Sequence, residues 1–373
     1  MDQIFIGLMS GTSLDGIDAI AIDLTTQPKI LATHYQPYDE TLRQQLHQLC
    51  RGCTNELSLY AELDNRLGRE FANAANIVRD KAGLKSGQVR AIGSHGQTVR
   101  HYPDSAHPNT LQIGDPNIIS ELTGITTVAD FRRRDMASGG QGAPLAPAFH
   151  NTLFRSSGHD RIMVNIGGIA NLTLLPADAN TPASGWDTGP GNTLMNAWIF
   201  AHQNEPQDTG GHWASQGTSN QALLNDLLTD PYFHQPAPKS TGPEYFNLAW
   251  LDPFLAAHPD SSVNIQATLC ELTTRTIVLA ITQAIESRTI TATDPEIFIC
   301  GGGSHNPLIM QQLRSRLAGS KVESSQALGL DPDWVEAAAF AWLAQQTLDG
   351  RAGNLPAVTG ADKAVILGGI YPV

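Results

Sequence analysis

Three glycine-rich turns in this chain stand where a backbone could meet a phosphate. They are Gly11–Gly16 within "FIGLMSGTSLDGIDAIAID" (5–23), Gly167–Asn171 within "RIMVNIGGIANLTLLP" (161–176), and Gly301–Gly303 within "EIFICGGGSHNPLIMQQLRSRL" (296–317). Each follows a run of β-formers. Glycine tolerates positive φ and lets another group approach the backbone closely. Successive N–H groups in such turns form nests that hold phosphate oxygens. Ser10, Thr12 and Ser13 add hydroxyl donors to the first turn. One such turn is what any hairpin needs. Three of them, opening each half and preceding a late helix, point to a nucleotide. Two familiar nucleotide signatures are nevertheless missing. No GxxxxGK[ST] occurs, which excludes a P-loop, and no GxGxxG follows a strand into a helix.

The elements that must position these turns follow from periodicity. Ile4–Met9 and Ala19–Leu24 read as paired strands. "TLRQQLHQLC" and "LSLYAELDNRLGREFANAANIVRDKAG" carry apolar residues at helical spacing. "VRAIGSHGQTV" reads as a strand entering a glycine turn, and "ITTVADFR" as another strand. After "GGQGAPLAP" the design starts again, so residues 4–24 and 162–175 form a weak internal repeat. Asp187 to Pro259 reads as loop-rich, "ATLCELTTRTIVLAITQAI" as a long helix, and "LDPDWVEAAAFAWLAQQTL" as a closing helix with Asp331 as N-cap and Pro332 in its first turn. Alternating strands and helices predict an α/β fold. The length of 373 residues predicts two domains, with the boundary near Ala129–Gly142.

Composition narrows the function classes. Formal net charge is −13, which argues against a broad nucleic-acid or anionic-membrane surface. No stretch approaches the roughly 20 apolar residues of a membrane span. The N-terminus carries no basic leader, so a cytoplasmic location is expected. Four cysteines do not make a disulfide framework, and the Cys50–Cys53 CxxC lacks a second pair for zinc. The histidines, His212 beside Trp213 included, show no metal-ligand spacing.

Specific motifs then stand in order along the whole chain: "SGTSLDGID" (10–18), "SHGQT" (94–98), "ADFRRRDMASGGQGAPLAP" (129–147), "NIGGIANLT" (165–173), "DTGPGN" (187–192), "PKSTGPEYFN" (238–247), "CGGGSHNP" (300–307), "EAAAFAWLA" (336–344) and "TGA…LGGIYP" (359–372). Together they resemble the anhydro-N-acetylmuramic acid kinase family, within the actin, Hsp70 and sugar-kinase superfamily. The resemblance implies two similar domains of the actin-like ATPase (ribonuclease H-like) fold with an ATP cleft between them. The expected domains are residues 1–130 plus about 345–373, and residues 131–344. It implies ATP and Mg²⁺ as cofactors and a homodimer as the assembly. One departure stands out: an arginine often follows "KSTG" in the family, and this chain has Pro243.

What the resemblance implies for the reaction is ATP-dependent opening of 1,6-anhydro-N-acetylmuramic acid to the 6-phosphate. O6 of an anhydro sugar carries no proton, so a base must act on water attacking C1, and Asp187 in "GWDTGPGN" is the candidate. The competing role for Asp187 is capping the helix that begins near Asn192. The hairpin Gly11, Thr12, Ser13, Leu14, Asp15, Gly16, Ile17 and Asp18 is expected on the β- and γ-phosphates, with Asp15 and Asp18 orienting Mg²⁺ through water. Gly167 and Gly168 are expected to join the nucleotide site, Gly301, Gly302 and Gly303 to lie near adenine or ribose, and Asn306 to open the next helix there. His95, Asp130, Arg132, Asp135, Thr188, Gly189 and Glu336 are the expected substrate contacts. Arg132 to Arg134 form a basic run suited to the muramic lactyl carboxylate. "KSTG" (239–242) is expected in a surface loop or a dimer contact. Another small-molecule kinase of the superfamily, or a non-catalytic ATP-dependent clamp, are the alternatives.

Overall fold

The computed structural model describes residues 3–11, 13–237 and 239–373. Thr12, expected in the phosphate hairpin, lies outside the described residues. The chain divides into two compact units, residues 1–153 with 334–373, and residues 154–333.

The strands of the first unit are β1 (Ile4–Ser10), β2 (Gly16–Asp23), β3 (Lys29–Pro37), β4 (Ala91–Tyr102), β5 (Asn109–Ile113) and β6 (Thr127–Ala129). Those of the second are β7 (Arg161–Ile166), β8 (Ile169–Leu175), β9 (Ser184–Pro190), β10 (Glu296–Cys300) and β11 (Val322–Ser324), and β12 (Gly369–Tyr371) returns to the first sheet. The first sheet runs β3-β2-β1-β4-β6-β12, with β5 paired to β4; the second runs β9-β8-β7-β10-β11. In both, the opening three strands are antiparallel and the next two lie parallel to the first. The weak internal repeat therefore has a structural basis: each unit has the same strand order. The α/β, ribonuclease H-like fold class is borne out.

Burial explains the central strands. Every residue of "IFIGLMS" in β1 is buried, so it reads as a nearly continuous apolar run instead of alternating. The helix Val335–Leu348 packs against β1 and β4. A Cβ at Gly7 would collide with the Ala337 carbonyl, and one at Gly93 with that of Phe340. Glycines in both strands and small residues along "EAAAFA" are what let this helix lie so close. That contact also corrects the expected boundaries. The helix belongs wholly to the first unit, and so do residues 131–153, because Asp135 and Gln141 bond to the C-terminal segment: the Gln141 N–H donates to Thr359 O at 2.8 Å and Thr359 Oγ1 to Asp135 Oδ1 at 2.8 Å.

Three other local expectations change. The closing helix starts at Val335 with no side-chain cap, and Asp331 instead accepts the Asp333 N–H in a short turn at 3.0 Å. β4 does not end at Gly96 but continues to Tyr102. It absorbs one extra residue there: Leu8 pairs with Ser94 and Ser10 with Gln97. Residues 187–259 hold the helices Thr193–Gln203, Gln221–Leu227, Pro231–His234 and Leu248–Ala257, so the segment is less loop-rich than its Gly and Pro content suggested. Among the described residues no helix is long and apolar enough to cross a membrane.

Candidate active site

In the first unit the hairpin between β1 and β2 is clamped at Ser10. Its Oγ lies 2.7 Å from Gly16 O and 2.6 Å from Gln97 Oε1, and accepts from the Tyr38 hydroxyl at 2.9 Å. Gln97 Nε2 also donates to Gly11 O at 3.0 Å. The turn is held from its root, and the Tyr38 N–H donates to Asp15 O at 2.9 Å on its far side. Leu14 and Ile17 are buried in the core of this unit, so they can offer a ligand only their backbone; Leu14 takes φ 54° to do so. Asp15 is exposed and accepts from Ser13 Oγ at 2.7 Å. Asp18 lies on β2 opposite Tyr35 of β3, whose phenol is pushed up to about 12 by burial and then by the fields of Asp15 and Asp18. Gln97 is a positioning residue that sequence reasoning missed, although it stood inside "SHGQT".

The bulge at the middle of β4 turns His95 inward, as bulges near functional sites commonly re-aim a side chain. His95 is buried, with Nδ1 3.1 Å from Ser10 O and Nε2 3.0 and 2.9 Å from Arg132 Nε and Nη2. Burial, then the Arg132 charge, holds the imidazole well below its usual range. Arg132 itself is lowered to about 10 by burial, against the opposing fields of Glu336 and Asp135. Of the basic run, only Arg132 points inward. Arg133 is exposed and pairs with Asp130 at 2.9 Å, and Arg134 is exposed. Asp130 sits at the end of β6 with φ 60°, a left-handed conformation uncommon outside glycine; burial raises its carboxyl.

Asp135 corrects an expectation. It is completely buried, with Oδ1 accepting from Asn354 Nδ2 at 2.6 Å and Thr359 Oγ1 at 2.8 Å, and Oδ2 accepting the Gly142 N–H at 2.8 Å. It ties the glycine loop to the C-terminal segment and has nothing left for a sugar. Likewise His95 spends both ring nitrogens on protein. Glu336 is exposed in the first turn of its helix.

In the second unit Asp187 lies on β9 beside another bulge. Ala170 pairs with Gly189 and Asn171 with Asp187, so Thr188 is the extra residue. Thr188 is buried and its hydroxyl donates to Ala170 O at 3.2 Å; a Cβ at Gly189 would strike the Phe233 ring. These two expected substrate contacts therefore build the bulge that aims Asp187. Helix capping by Asp187 is ruled out by its place inside the strand: Asn192 holds the N-cap position of Thr193–Gln203.

The segment Lys239–Thr241 runs alongside. The Asp187 N–H donates to Lys239 O at 3.1 Å, the Thr241 N–H to Asp187 Oδ2 at 3.0 Å, and the Tyr232 hydroxyl to Asp187 O at 2.8 Å. Lys239 Nζ in turn donates to Tyr232 O at 2.8 Å and lies 4.7 Å from the Tyr232 ring centroid. "KSTG" is thus a clamp on the candidate base and not a detached surface loop. Its signal in sequence was only membership of the motif set. Half-buried here, the Asp187 carboxyl is pushed up to about 7, chiefly by desolvation and further by Glu244, with the Thr241 N–H opposing. Pro243 is exposed two residues beyond Thr241.

The glycines of the other two turns are not equivalent. Gly167 and Gly168 turn their carbonyls toward the next helix, accepting from the N–H groups of Asn192 (2.8 Å), Gly191 (2.9 Å) and Thr193 (3.0 Å). A Cβ on Gly301 would meet Asn165, and one on Gly303 would meet Ile166, whereas Gly302 faces open space. Asn306 caps Pro307–Arg316, its Oδ1 accepting from Leu308 N–H at 3.0 Å and Ile309 N–H at 3.3 Å. Its carbonyl oxygen is thereby spent on the helix.

A profile described as anhydro-N-acetylmuramic acid kinase matches residues 3–373. The chain belongs to the anhydro-N-acetylmuramic acid kinase family. Curated relatives bearing that name include one from Coxiella burnetii, 48% identical over 98% of this chain and 97% of its own length. Another, from Pasteurella multocida, is 49% identical over 99% and 96%. Among solved structures, the activator of the 2-hydroxyisocaproyl-CoA dehydratase from Clostridium difficile aligns over 91% of this chain and 92% of its own, at 9% identity and a TM-score of 0.45. Membership of the family makes the chain a carbohydrate kinase of cell-wall amino-sugar recycling.

Proposed function

We propose that this chain uses ATP and water to open 1,6-anhydro-N-acetylmuramic acid, giving N-acetylmuramic acid 6-phosphate and ADP. Phosphoryl transfer asks a protein mainly for positioning and charge stabilisation. Because O6 is bonded to C1 and has no proton, Asp187 acts on water instead of a hydroxyl. It takes a proton as the water oxygen bonds to C1 from the face opposite O6; the C1–O6 bond breaks and O6 bonds to the γ-phosphorus, releasing ADP. The observation that carries this reading is Asp187 itself. A half-buried carboxyl at about 7 is ionised in useful fraction at neutral pH and basic enough to accept a proton.

The hairpin from Gly11 to Asp18 offers its backbone and Ser13 to the β- and γ-phosphates, which explains a turn made of small residues. Gly302 leaves room for the nucleoside. Asp130, Arg132 and Glu336 are assigned to the sugar, with the Arg132 guanidinium on the lactyl carboxylate. Asp15 and Asp18 suit Mg²⁺, which keeps several waters and takes one or two carboxylates beside substrate phosphates. Among the described residues no three His, Cys, Asp or Glu side chains form a group able to hold a metal ion, so phosphate oxygens and waters would supply the remaining ligands. Bound there, the ion neutralises charge on the phosphates. A cytoplasmic homodimer belongs to the same reading, supported by the family membership.

The direct test is turnover with ATP and 1,6-anhydro-N-acetylmuramic acid in ¹⁸O-labelled water. Label at C1 of the 6-phosphate is expected. Turnover with no label at C1 removes the water-attack step and the role of Asp187 with it.

A further inference from the structure

We infer that His95 is a positioning residue that holds the phosphate hairpin and Arg132 in fixed register, one ring nitrogen on each. The inference rests on the kinase reading above, which assigns the hairpin to ATP and Arg132 to the sugar carboxylate.

The partners dictate the tautomer. A carbonyl only accepts, so the nitrogen 3.1 Å from Ser10 O carries the hydrogen; a guanidinium only donates, so the nitrogen facing Arg132 offers its lone pair. The ring is thus a neutral bridge from the root of the hairpin to the guanidinium. It cannot rotate freely, because the β4 bulge fixes its backbone and Phe340 lies 4.7 Å from its centroid. Ser10 is held again through its hydroxyl by Gln97 and Tyr38. On the other side, the Arg132 Nε–H and one Nη2–H point at His95, and one Nη1–H donates to Gly142 O at 2.9 Å. Of the five guanidinium hydrogens this leaves one on each terminal nitrogen. A carboxylate takes two parallel N–H bonds, so the fork left by His95 and Gly142 has the number of donors a lactyl carboxylate needs.

The two halves of the bridge can be cut separately. In His95→Asn the short amide places an N–H near the position of Nδ1 and abandons Arg132. In His95→Gln the longer amide places its oxygen near Nε2 and abandons Ser10. Steady-state kinetics with both substrates varied should give a split. His95→Asn should keep the ATP KM within about threefold while raising the sugar KM about tenfold, and His95→Gln should do the reverse, as expected for loss of one hydrogen bond to each loop. Arg132→Lys, which keeps the charge and loses the fork, should raise the sugar KM and leave ATP affinity unchanged. Equal KM changes in both His95 variants, or a fall in kcat and melting temperature with both KM values unchanged, would overturn the inference.

Calorimetric binding of a non-hydrolysable ATP analogue separates this from the reaction reading. If the wild-type protein leaves the anhydro sugar untouched, the reaction reading fails. The hairpin arm is still decided: weaker analogue binding by His95→Gln than by His95→Asn upholds it, and equal binding overturns it.

Discussion

Replacing Asp187 by asparagine should abolish activity and stabilise the protein, the second effect only where the native carboxyl is forced to ionise. Its folded value of about 7 lies above the 3.8 of an ordinary aspartate. Below about pH 4 both folded and unfolded chains hold the proton and the environment costs nothing. Between about 4 and 7 the folded chain keeps a proton the unfolded chain has lost, so stability falls as pH rises. Above 7 the penalty is complete. At about 1.4 kcal/mol per pH unit it would reach roughly 4 kcal/mol. Asp187 is only half-buried and water screens part of the cost, so about 1–2 kcal/mol is the reasonable expectation. Asparagine resembles the protonated acid and escapes the penalty. In thermal melts Asp187→Asn should exceed wild type by about 3–6 °C at pH 8.5, shrinking to about a third of that at pH 5. Turnover at pH 8 should fall by about 10²–10⁴. An equal melting difference at both pH values would mean that the carboxyl is not raised, and activity retained within tenfold would remove it as the base.

Two further substitutions test the scaffold. Asp135→Ala leaves the Gly142 N–H, the Asn354 amide and the Thr359 hydroxyl without their buried acceptor; a loss of roughly 3–5 kcal/mol is expected in denaturant titration, and a loss under 1 kcal/mol would show that the loop and C-terminal segment hold without it. Gly303→Ala should destabilise by about 1–3 kcal/mol through collision with Ile166. Gly302→Ala, facing open space, should leave the melting temperature within a degree or two and raise the ATP KM; matching melting losses in the two variants would contradict the different roles given to these glycines.

Much of this protein was legible in sequence because its signals are local. The two hairpins announced themselves through β-formers around glycine turns, the long helices through periodicity, and the family through motifs spread over the whole chain. Asp187 and the Gly11–Asp18 hairpin were named as candidates by that route. Roles that depend on what lies across space were not legible. Arg132 and Asp135 stand three residues apart, the first opening a basic run and the second just after it, yet the fold spends Asp135 entirely on Asn354, Thr359 and Gly142 and turns Arg132 toward His95. Likewise "KSTG" becomes a clamp only because β9 runs beside it, more than fifty residues away in the chain.

The domain boundaries failed for the same reason. Periodicity locates the helix Val335–Leu348 within a few residues but cannot say which sheet it covers; the close approach at Gly7 and Gly93 does. The sequence by itself determined the α/β class, the repeat and the chemistry on offer, since backbone propensity and motif spacing are properties of neighbouring residues. Only the tertiary structure decided which carboxylates are free to act, because burial and hydrogen-bond partners come from residues distant in the chain, and these set whether a charged group is spent on the fold or left for a substrate.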